Sequence, residues 1–224
     1  MRLLICTQKV DQNDPILGFF VGWIERLAKE AESVEVICME RGNYNLPKNV
    51  QVYSLGKASP MAGLRPRESG RSRIKYLLNF YKLIFKLRNK YDTVFVHMNP
   101  EYVVLGGMFW KLMNKKIALW YTHREVDLKL RVAEKFADNI FTASKESFRL
   151  KSSKLQVMGH GIDLSKFGSP EYIPHSDSIK ILAVGRITKI KHLEGAIKAV
   201  SLLNNSWNRK VSLRIVGETN TTED

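Results

Sequence analysis

The residues best placed to do chemistry lie in one segment, where an apolar run is followed by a glycine, two cations and a helix-like pattern. Residues 181–184 have the length of a buried strand, Gly185 allows a sharp exit, and apolar residues recur at helical spacing from Leu193 onward. Arg186 and Lys191 fall between the two, beside the expected helix N-terminus. Free N–H groups and the helix dipole favour an anion there, and the cations add charge-assisted hydrogen bonds. The segment predicts a phosphate-binding corner that best suits a diphosphate.

A second motif stands upstream, where residues 157–163 read Val-Met-Gly-His-Gly-Ile-Asp and Phe167 follows. Together the two segments resemble glycosyltransferase family 4, retaining sugar transferases of the GT-B fold. The family carries "(Asn or His)-Gly-(Val or Ile)-Asp…Phe" and then "Val-Gly-Arg…Lys", and both occur here in that order. The resemblance implies that Arg186 and Lys191 hold the diphosphate of a nucleotide-sugar donor. His192 departs from the pattern, because the family usually has Gly there.

The resemblance also implies residues on the other side of the reaction. Gly18 would let the backbone approach the donor, since glycine permits close contact, although an ordinary turn glycine is the alternative. His123 would be the catalytic residue that orients the reacting sugar or acceptor, against a purely structural histidine. His97, Asn99 and Glu101, at another expected strand end, are candidates for the acceptor side.

The implied reaction moves a sugar from a nucleotide-diphosphate-sugar to a glycan, lipid or other acceptor with retention of configuration. No metal and no cofactor other than this donor substrate is implied. Negative charge builds on the departing diphosphate, so Arg186, Lys191 and the helix N-terminus would supply the main stabilisation. Two alternatives stay open: a non-catalytic basic Rossmann-like module that binds a membrane surface or nucleic acid, and a nucleotide-sugar epimerase of the same fold.

The elements that must position these residues follow from an alternation of short apolar runs with helical patterns. This alternation predicts an α/β fold with a doubly wound, Rossmann-like parallel sheet, whose ligands gather at the carboxyl ends of the strands. The expected strands are residues 3–7, 34–39, 50–54, 93–97, 117–121, 139–142 and 156–158. The expected helices are residues 18–32, 73–89, 101–114, 126–137 and 145–150.

The domain boundaries follow from the same pattern. Residues 1–166 form the expected acceptor-side domain, and the polar, proline-broken residues 167–178 form a linker. Residues 179–224 begin a donor domain with only two strands. The family's donor-site glutamate pair lies far downstream of this point and is absent, so the resemblance describes a donor domain that is truncated. Activity that depends on that pair would be missing from the 224-residue chain.

The net charge of +14 predicts a partner that carries phosphates. Residues 64–90 contain nine of the basic residues against Glu68 alone: Arg65, Arg67, Arg71, Arg73, Lys75, Lys82, Lys86, Arg88 and Lys90. The same stretch is broadly apolar. It could lie in the headgroup region of an anionic membrane, or it could be a Rossmann helix with a solvated basic edge.

Other function classes lose support. Cys6 and Cys38 have no spacing suited to a metal, and both are expected to be reduced core residues. A dinucleotide fingerprint would need a third glycine where Leu164 stands, and no nucleic-acid recognition motif occurs. No signal peptide or membrane-spanning run is present, which predicts a cytoplasmic protein, with attachment to the inner face of the membrane left open.

Overall fold

A computed structural model of the chain describes residues 1–57, 70–161, 168 and 178–218. The chain divides into two compact units, Met1–Ile162 and Asp163–Asp224. Several sequence-based predictions lie outside the described residues: the Asp163 and Phe167 positions of the signature, most of the linker, and the basic residues before position 70.

The described part of the first unit contains one seven-stranded sheet, in the order β3-β2-β1-β4-β5-β6-β7. Every neighbouring pair is parallel, and the strand order reverses at β1, as in a Rossmann fold. The strands are β1 (Arg2–Val10), β2 (Ser33–Arg41), β3 (Val50–Ser54), β4 (Thr93–His97), β5 (Lys116–Trp120), β6 (Asn139–Thr142) and β7 (Leu155–Val157). The predicted doubly wound parallel sheet is confirmed.

Helices cover both faces of this sheet, which explains why its central strands are apolar on both sides. Alternate residues of β1 enter different cores: Leu4 belongs to one and Ile5 to the other. The first core is closed by α2 (Gly70–Lys86), α3 (Pro100–Leu112) and α4 (Leu128–Phe136), and the second by α1 (Phe19–Glu30).

One predicted helix is wrong. Residues 145–150 form only a short 3-10 helix, Lys145–Ser147, in which the Ser147 N–H donates to the Ser144 carbonyl at 3.1 Å. A segment of this length cannot gain enough hydrogen bonds to offset the cost of nucleating an α-helix.

The described part of the second unit contains β8 (Ser178–Val184) and β9 (Lys210–Val216), paired in parallel, with α5 (Leu193–Ser206) between them. The Asn204 side chain fixes the end of α5 to β9: it donates to the Val211 carbonyl at 2.8 Å and accepts from the Val211 N–H at 2.7 Å. Large apolar side chains nevertheless remain exposed, including Leu182 at 62%, Val184 at 75% and Leu202 at 69%.

Both cysteines lie in the core of the first unit with free thiols. Burial raises the pKa of the Cys6 thiol and raises that of Cys38 to about 12, so both stay protonated at neutral pH. Within the described ranges, no helix is long and apolar enough to cross a bilayer.

Candidate functional site

The predicted phosphate corner lies where β8 ends. Gly185 follows the strand with φ of 155°, and its N–H donates to the Val216 carbonyl of β9 at 3.0 Å. Arg186 comes next, and a 3-10 helix, Lys189–Lys191, leads into α5. Strand, glycine, cations and helix therefore follow one another as predicted.

Arg186 and Lys191 are both exposed, and neither side chain makes a hydrogen bond or ion pair within the described part of the chain. The fold brings Lys191 back towards the strand end: its Cε lies 3.9 Å from the position that a Cβ on Gly185 would occupy. The ammonium stem thus passes beside the glycine that precedes Arg186. Among the described residues, the two cationic side chains have no partner and are available to an anion at this corner.

The N-terminus of α5 also remains open to a ligand. His192 occupies the N-cap position with φ of 48° and ψ of 42°, and no side chain caps the helix in the described residues. This left-handed conformation explains why glycine suits the position, since side chains raise its energy. The uncapped N–H groups favour an anion, while Glu194 in the first turn is the one acidic group there and opposes it.

Sequence reasoning missed Gly217, which belongs to the same corner. A Cβ at this position would lie 1.8 Å from the Gly185 carbonyl oxygen, so no other residue fits without moving the backbone. The signal was present, because Val216-Gly217 repeats at the end of β9 the Val184-Gly185 pair at the end of β8. Gly185 and Gly217 therefore pack against each other where β8 and β9 end.

In the first unit, Gly18 immediately precedes α1 with φ of −58°, an ordinary helical value. The loop before it leaves no room for a side chain. A Cβ at position 18 would lie 2.5 Å from the Asp14 carbonyl oxygen and 2.8 Å from that of Gln12. The close packing of this loop accounts for the glycine. A contact between Gly18 and a donor stays a prediction.

The loop that carries Gly18 is organised by an ion cluster. The Lys9 Nζ lies 2.8 Å from Asp14 and 3.3 Å from Asp11, and these side chains are only 15–16% exposed. Asp14 Oδ1 also accepts from the N–H groups of Ile16 and Leu17 at 2.9 and 2.8 Å. Burial raises the pKa of the Asp14 carboxyl, but the hydrogen bonds from Lys9, Leu17 and Ile16 outweigh it, and the net pKa lies below its ordinary value of 3.8.

Replacing Asp14 by alanine is expected to lower the free energy of unfolding by about 2–3 kcal/mol at pH 7, because Lys9 keeps only Asp11 as a partner and two N–H groups lose their acceptor. Since the folded pKa is depressed, this contribution is complete above the ordinary value of 3.8 and is lost as pH falls through the lower folded value. Urea unfolding at pH 7 and pH 3 measures it. Glu25→Ala, which removes an exposed pair with Lys29 at 3.6 Å, is the control and should change stability by under about 0.5 kcal/mol. Equal losses in the two variants would contradict the role given to the loop cluster.

His97 is not placed like an acceptor-binding group. It is 2% exposed, its ring stacks on Phe20 with centroids 3.8 Å apart, and its Nδ1 lies 3.3 Å from the Thr7 hydroxyl. Trp23 and Phe19 pack edge-on at 6.0 and 6.1 Å. Burial lowers the pKa of His97 to about 4, so the ring is neutral at pH 7. These contacts are those of a core histidine.

His123, in contrast, is exposed in the loop after β5, with its ring centroid 6.2 Å from that of Tyr121. Of the Gly-His-Gly motif, Gly159 has φ of 77°, and a Cβ on Gly161 would lie 3.4 Å from the Trp23 ring. His123 and the motif both follow strands at the carboxyl edge of the sheet. The catalytic role of His123 stays a prediction.

The other two acceptor-side candidates, Asn99 and Glu101, line one pocket beside α2 and α3. Met98 turns the chain into this position with φ of 65°, a value that residues other than glycine seldom adopt. Its N–H donates to the Trp120 carbonyl at 2.8 Å, which ties the turn to β5. The structure therefore brings Asn99 and Glu101 together and places His97 in a separate aromatic cluster.

No protein-family model and no curated protein matches this sequence. Solved structures do match. HepE of Anabaena, solved in complex with UDP, gives a TM-score of 0.64 at 15% identity and covers 99% of this chain and 62% of its own. WaaG, a glycosyltransferase involved in lipopolysaccharide biosynthesis, gives 0.55 at 12% identity, covering 97% and 64%. The UDP-GlcNAc 2-epimerase from Methanocaldococcus jannaschii gives 0.52 at 13% identity, covering 96% and 66%.

At these identities the likeness shows the fold, and it extends to transferases and an epimerase alike. The chain spans 62% of the length of HepE. The chain has an α/β fold of the GT-B type.

Proposed function

We propose that this chain belongs to a glycosyltransferase that uses a nucleoside-diphosphate-sugar donor, and that the diphosphate binds at the corner formed by Gly185, Arg186, Lys191 and the start of α5. The observation that carries the proposal is a pair of exposed cations whose side chains have no partner among the described residues, beside a helix N-terminus that no described side chain caps. Exposed cations in this setting suit a ligand with several charged oxygens.

The chemistry follows from where the charge develops. The bond between the anomeric carbon of the sugar and the diphosphate oxygen breaks, and its electron pair stays on the oxygen. The anomeric carbon bonds a hydroxyl oxygen of the acceptor instead, and that oxygen gives up its proton. Arg186 offers a planar fork of donors and Lys191 a compact point charge, so together they would stabilise the departing diphosphate. Retention of configuration and the orienting role of His123 come from the family 4 resemblance.

The HepE complex supports UDP as the first nucleotide to test. Calorimetric titration should show that UDP binds at least about tenfold more tightly than UMP, because the second phosphate adds charge-assisted hydrogen bonds. Uridine serves as the control without phosphate. Equal affinities for UDP and UMP would contradict a diphosphate site.

Transfer itself is expected to need more of the donor domain than these residues supply. The glutamate pair that the resemblance implies does not occur after Lys191 at the family's spacing. Nucleotide binding is therefore the sharper test of the proposal than turnover by the 224-residue chain.

Attachment to an anionic membrane surface is a second role that a specific observation favours. Helix α2 leaves Ile74 60%, Leu78 63% and Phe85 39% exposed, and Lys82 and Lys86 are exposed on the same helix. Apolar side chains among cations are the composition of helices that lie in the headgroup region. This surface would bring the enzyme to an acceptor embedded in the membrane.

Sedimentation with vesicles tests this role. Binding to vesicles that contain phosphatidylglycerol should exceed binding to neutral phosphatidylcholine vesicles. It should fall as salt rises, because exposed charges are screened beyond about 8–10 Å near physiological ionic strength. Leu78→Glu should weaken it, since a charge would replace a side chain that enters the headgroup region. Equal sedimentation with both kinds of vesicle, or none with the anionic kind, would remove the proposal.

A further inference from the structure

A pocket of about 450 Å³ lies in the first unit at the carboxyl end of the sheet. Its volume falls in the range of sites that bind small molecules. Apolar side chains from four segments form most of its wall: Met39 of β2, Leu55 after β3, Leu77 and Phe80 of α2, and Leu105 of α3. A wall of this composition favours a hydrocarbon group, since each CH₂ moved out of water contributes about 0.8 kcal/mol.

Asn99, which lines the pocket, carries a hydrogen-bond donor that has no partner in the described part of the chain. Nδ2 of Asn99 is buried, and no acceptor within the described part of the chain reaches it. A buried donor left unsatisfied costs about 1–3 kcal/mol, which a ligand oxygen could recover. Asn99 precedes α3, whose N-terminal dipole favours a negative group. Glu101 would oppose that group, but its carboxylate is paired with Lys129 at 2.7 Å.

The apolar wall continues onto the outer surface of α2. Leu77 lines the pocket and is 36% exposed, while its neighbour Leu78 does not line it and is 63% exposed. Arg73 also lines the pocket. A chain entering from an anionic membrane surface would therefore meet cations and apolar side chains before it reached the pocket.

We propose that this pocket binds the hydrocarbon chain of a lipid-type acceptor, with an oxygen of its polar head accepting a hydrogen bond from Asn99. That the ligand is an acceptor rests on the proposed transfer reaction, whereas the binding of an amphiphile does not require transfer. The pocket would select acceptors that carry an alkyl or prenyl chain over water-soluble sugars.

Dodecyl phosphate is the probe, titrated by calorimetry into the 224-residue chain below its micellar concentration, with inorganic phosphate as the control ligand. Saturable binding is expected for dodecyl phosphate and not for phosphate alone. Leu77→Glu should weaken binding at least about tenfold, because the carboxylate enters the apolar wall. The control Leu112→Glu should leave binding unchanged, since this side chain is 78% exposed at the end of α3 and does not line the pocket. Leu77→Trp should also weaken it by filling the space, which adsorption to the surface would not do.

Circular dichroism melts show whether each variant is folded. If Leu77→Glu does not fold, Leu77→Trp still tests the pocket. The proposal is overturned if wild type shows no saturable binding, or if Leu112→Glu weakens it as much as Leu77→Glu. UDP binding measured on the same samples separates the two proposals. Loss of UDP binding alone would count against the donor site and leave the pocket intact, whereas loss of amphiphile binding alone would do the reverse.

Discussion

Arg186→Ala is expected to weaken UDP binding roughly ten- to hundredfold, because one charged hydrogen bond to a phosphate typically contributes about 1.5–3 kcal/mol. Arg186 is exposed and makes no ion pair within the described residues, so its removal leaves no buried partner uncompensated. The loss should therefore appear in binding and not in stability. Lys191→Ala should produce a loss of similar size.

Lys198→Ala is the matched control for both variants. Lys198 is an exposed cation on α5 that lies beyond its first turn. Its replacement by alanine lowers the net charge by the same amount as the other two variants without touching the corner. Its effect should be small and should shrink as salt is raised, because only screened, longer-range attraction is lost. If calorimetry shows that Arg186→Ala binds UDP with unchanged affinity, the assignment of the diphosphate site is wrong.

Hydrogen exchange is expected to differ between the two units by at least about a hundredfold, since local opening energies range from near zero to the global stability. In the second unit, β8 and β9 are covered by a single described helix, and Ile181 and Val184 remain 37% and 75% exposed. Parallel strands normally need helices on both faces. Amides of β8 and β9 should therefore exchange quickly, and those of β1 to β5 slowly.

Adding a polypeptide that supplies further strands and helices of a Rossmann-like half would cover this surface and should slow exchange in β8 and β9. The control is β1, whose residues Leu3 to Cys6 are at most 3% exposed and should not respond. Uniformly slow exchange across both units would show that the second unit is stable as it stands.

Much of the fold could be predicted from the sequence because its strands are short apolar runs between turn residues. Three strands, β3, β4 and β6, have the predicted bounds. β1 and β2 extend further than expected, since Lys9 pairs in register with Glu40 and Val10 with Arg41. Lys9, Glu40 and Arg41 are polar and carry no strand signal of their own, and only pairing with the neighbouring strand brings them into the sheet.

The site was predictable to the extent that it is local in sequence. Arg186 and Lys191 follow from spacing alone, because strand, turn and helix are consecutive. Gly217 packs against the carbonyl of Gly185, which follows a different strand, so only the repeated Val-Gly pair marks it in the sequence. The place of His97 at a strand end predicts an acceptor-side residue, but the rings of Phe20 and Trp23 cover it, and the sequence does not show that packing. The pocket arises from the packing of α2 against α3 and has no signature in the sequence.

The most direct test of the diphosphate site is hydrogen exchange of the 224-residue chain with and without saturating UDP. Bound diphosphate should slow the amides from Gly185 to Gly195, because its oxygens accept from the N–H groups at the start of α5. Arg186→Ala, at the same UDP concentration, should lose this protection. The account predicts slowing centred on these residues. UDP binding that leaves their exchange unchanged would contradict it.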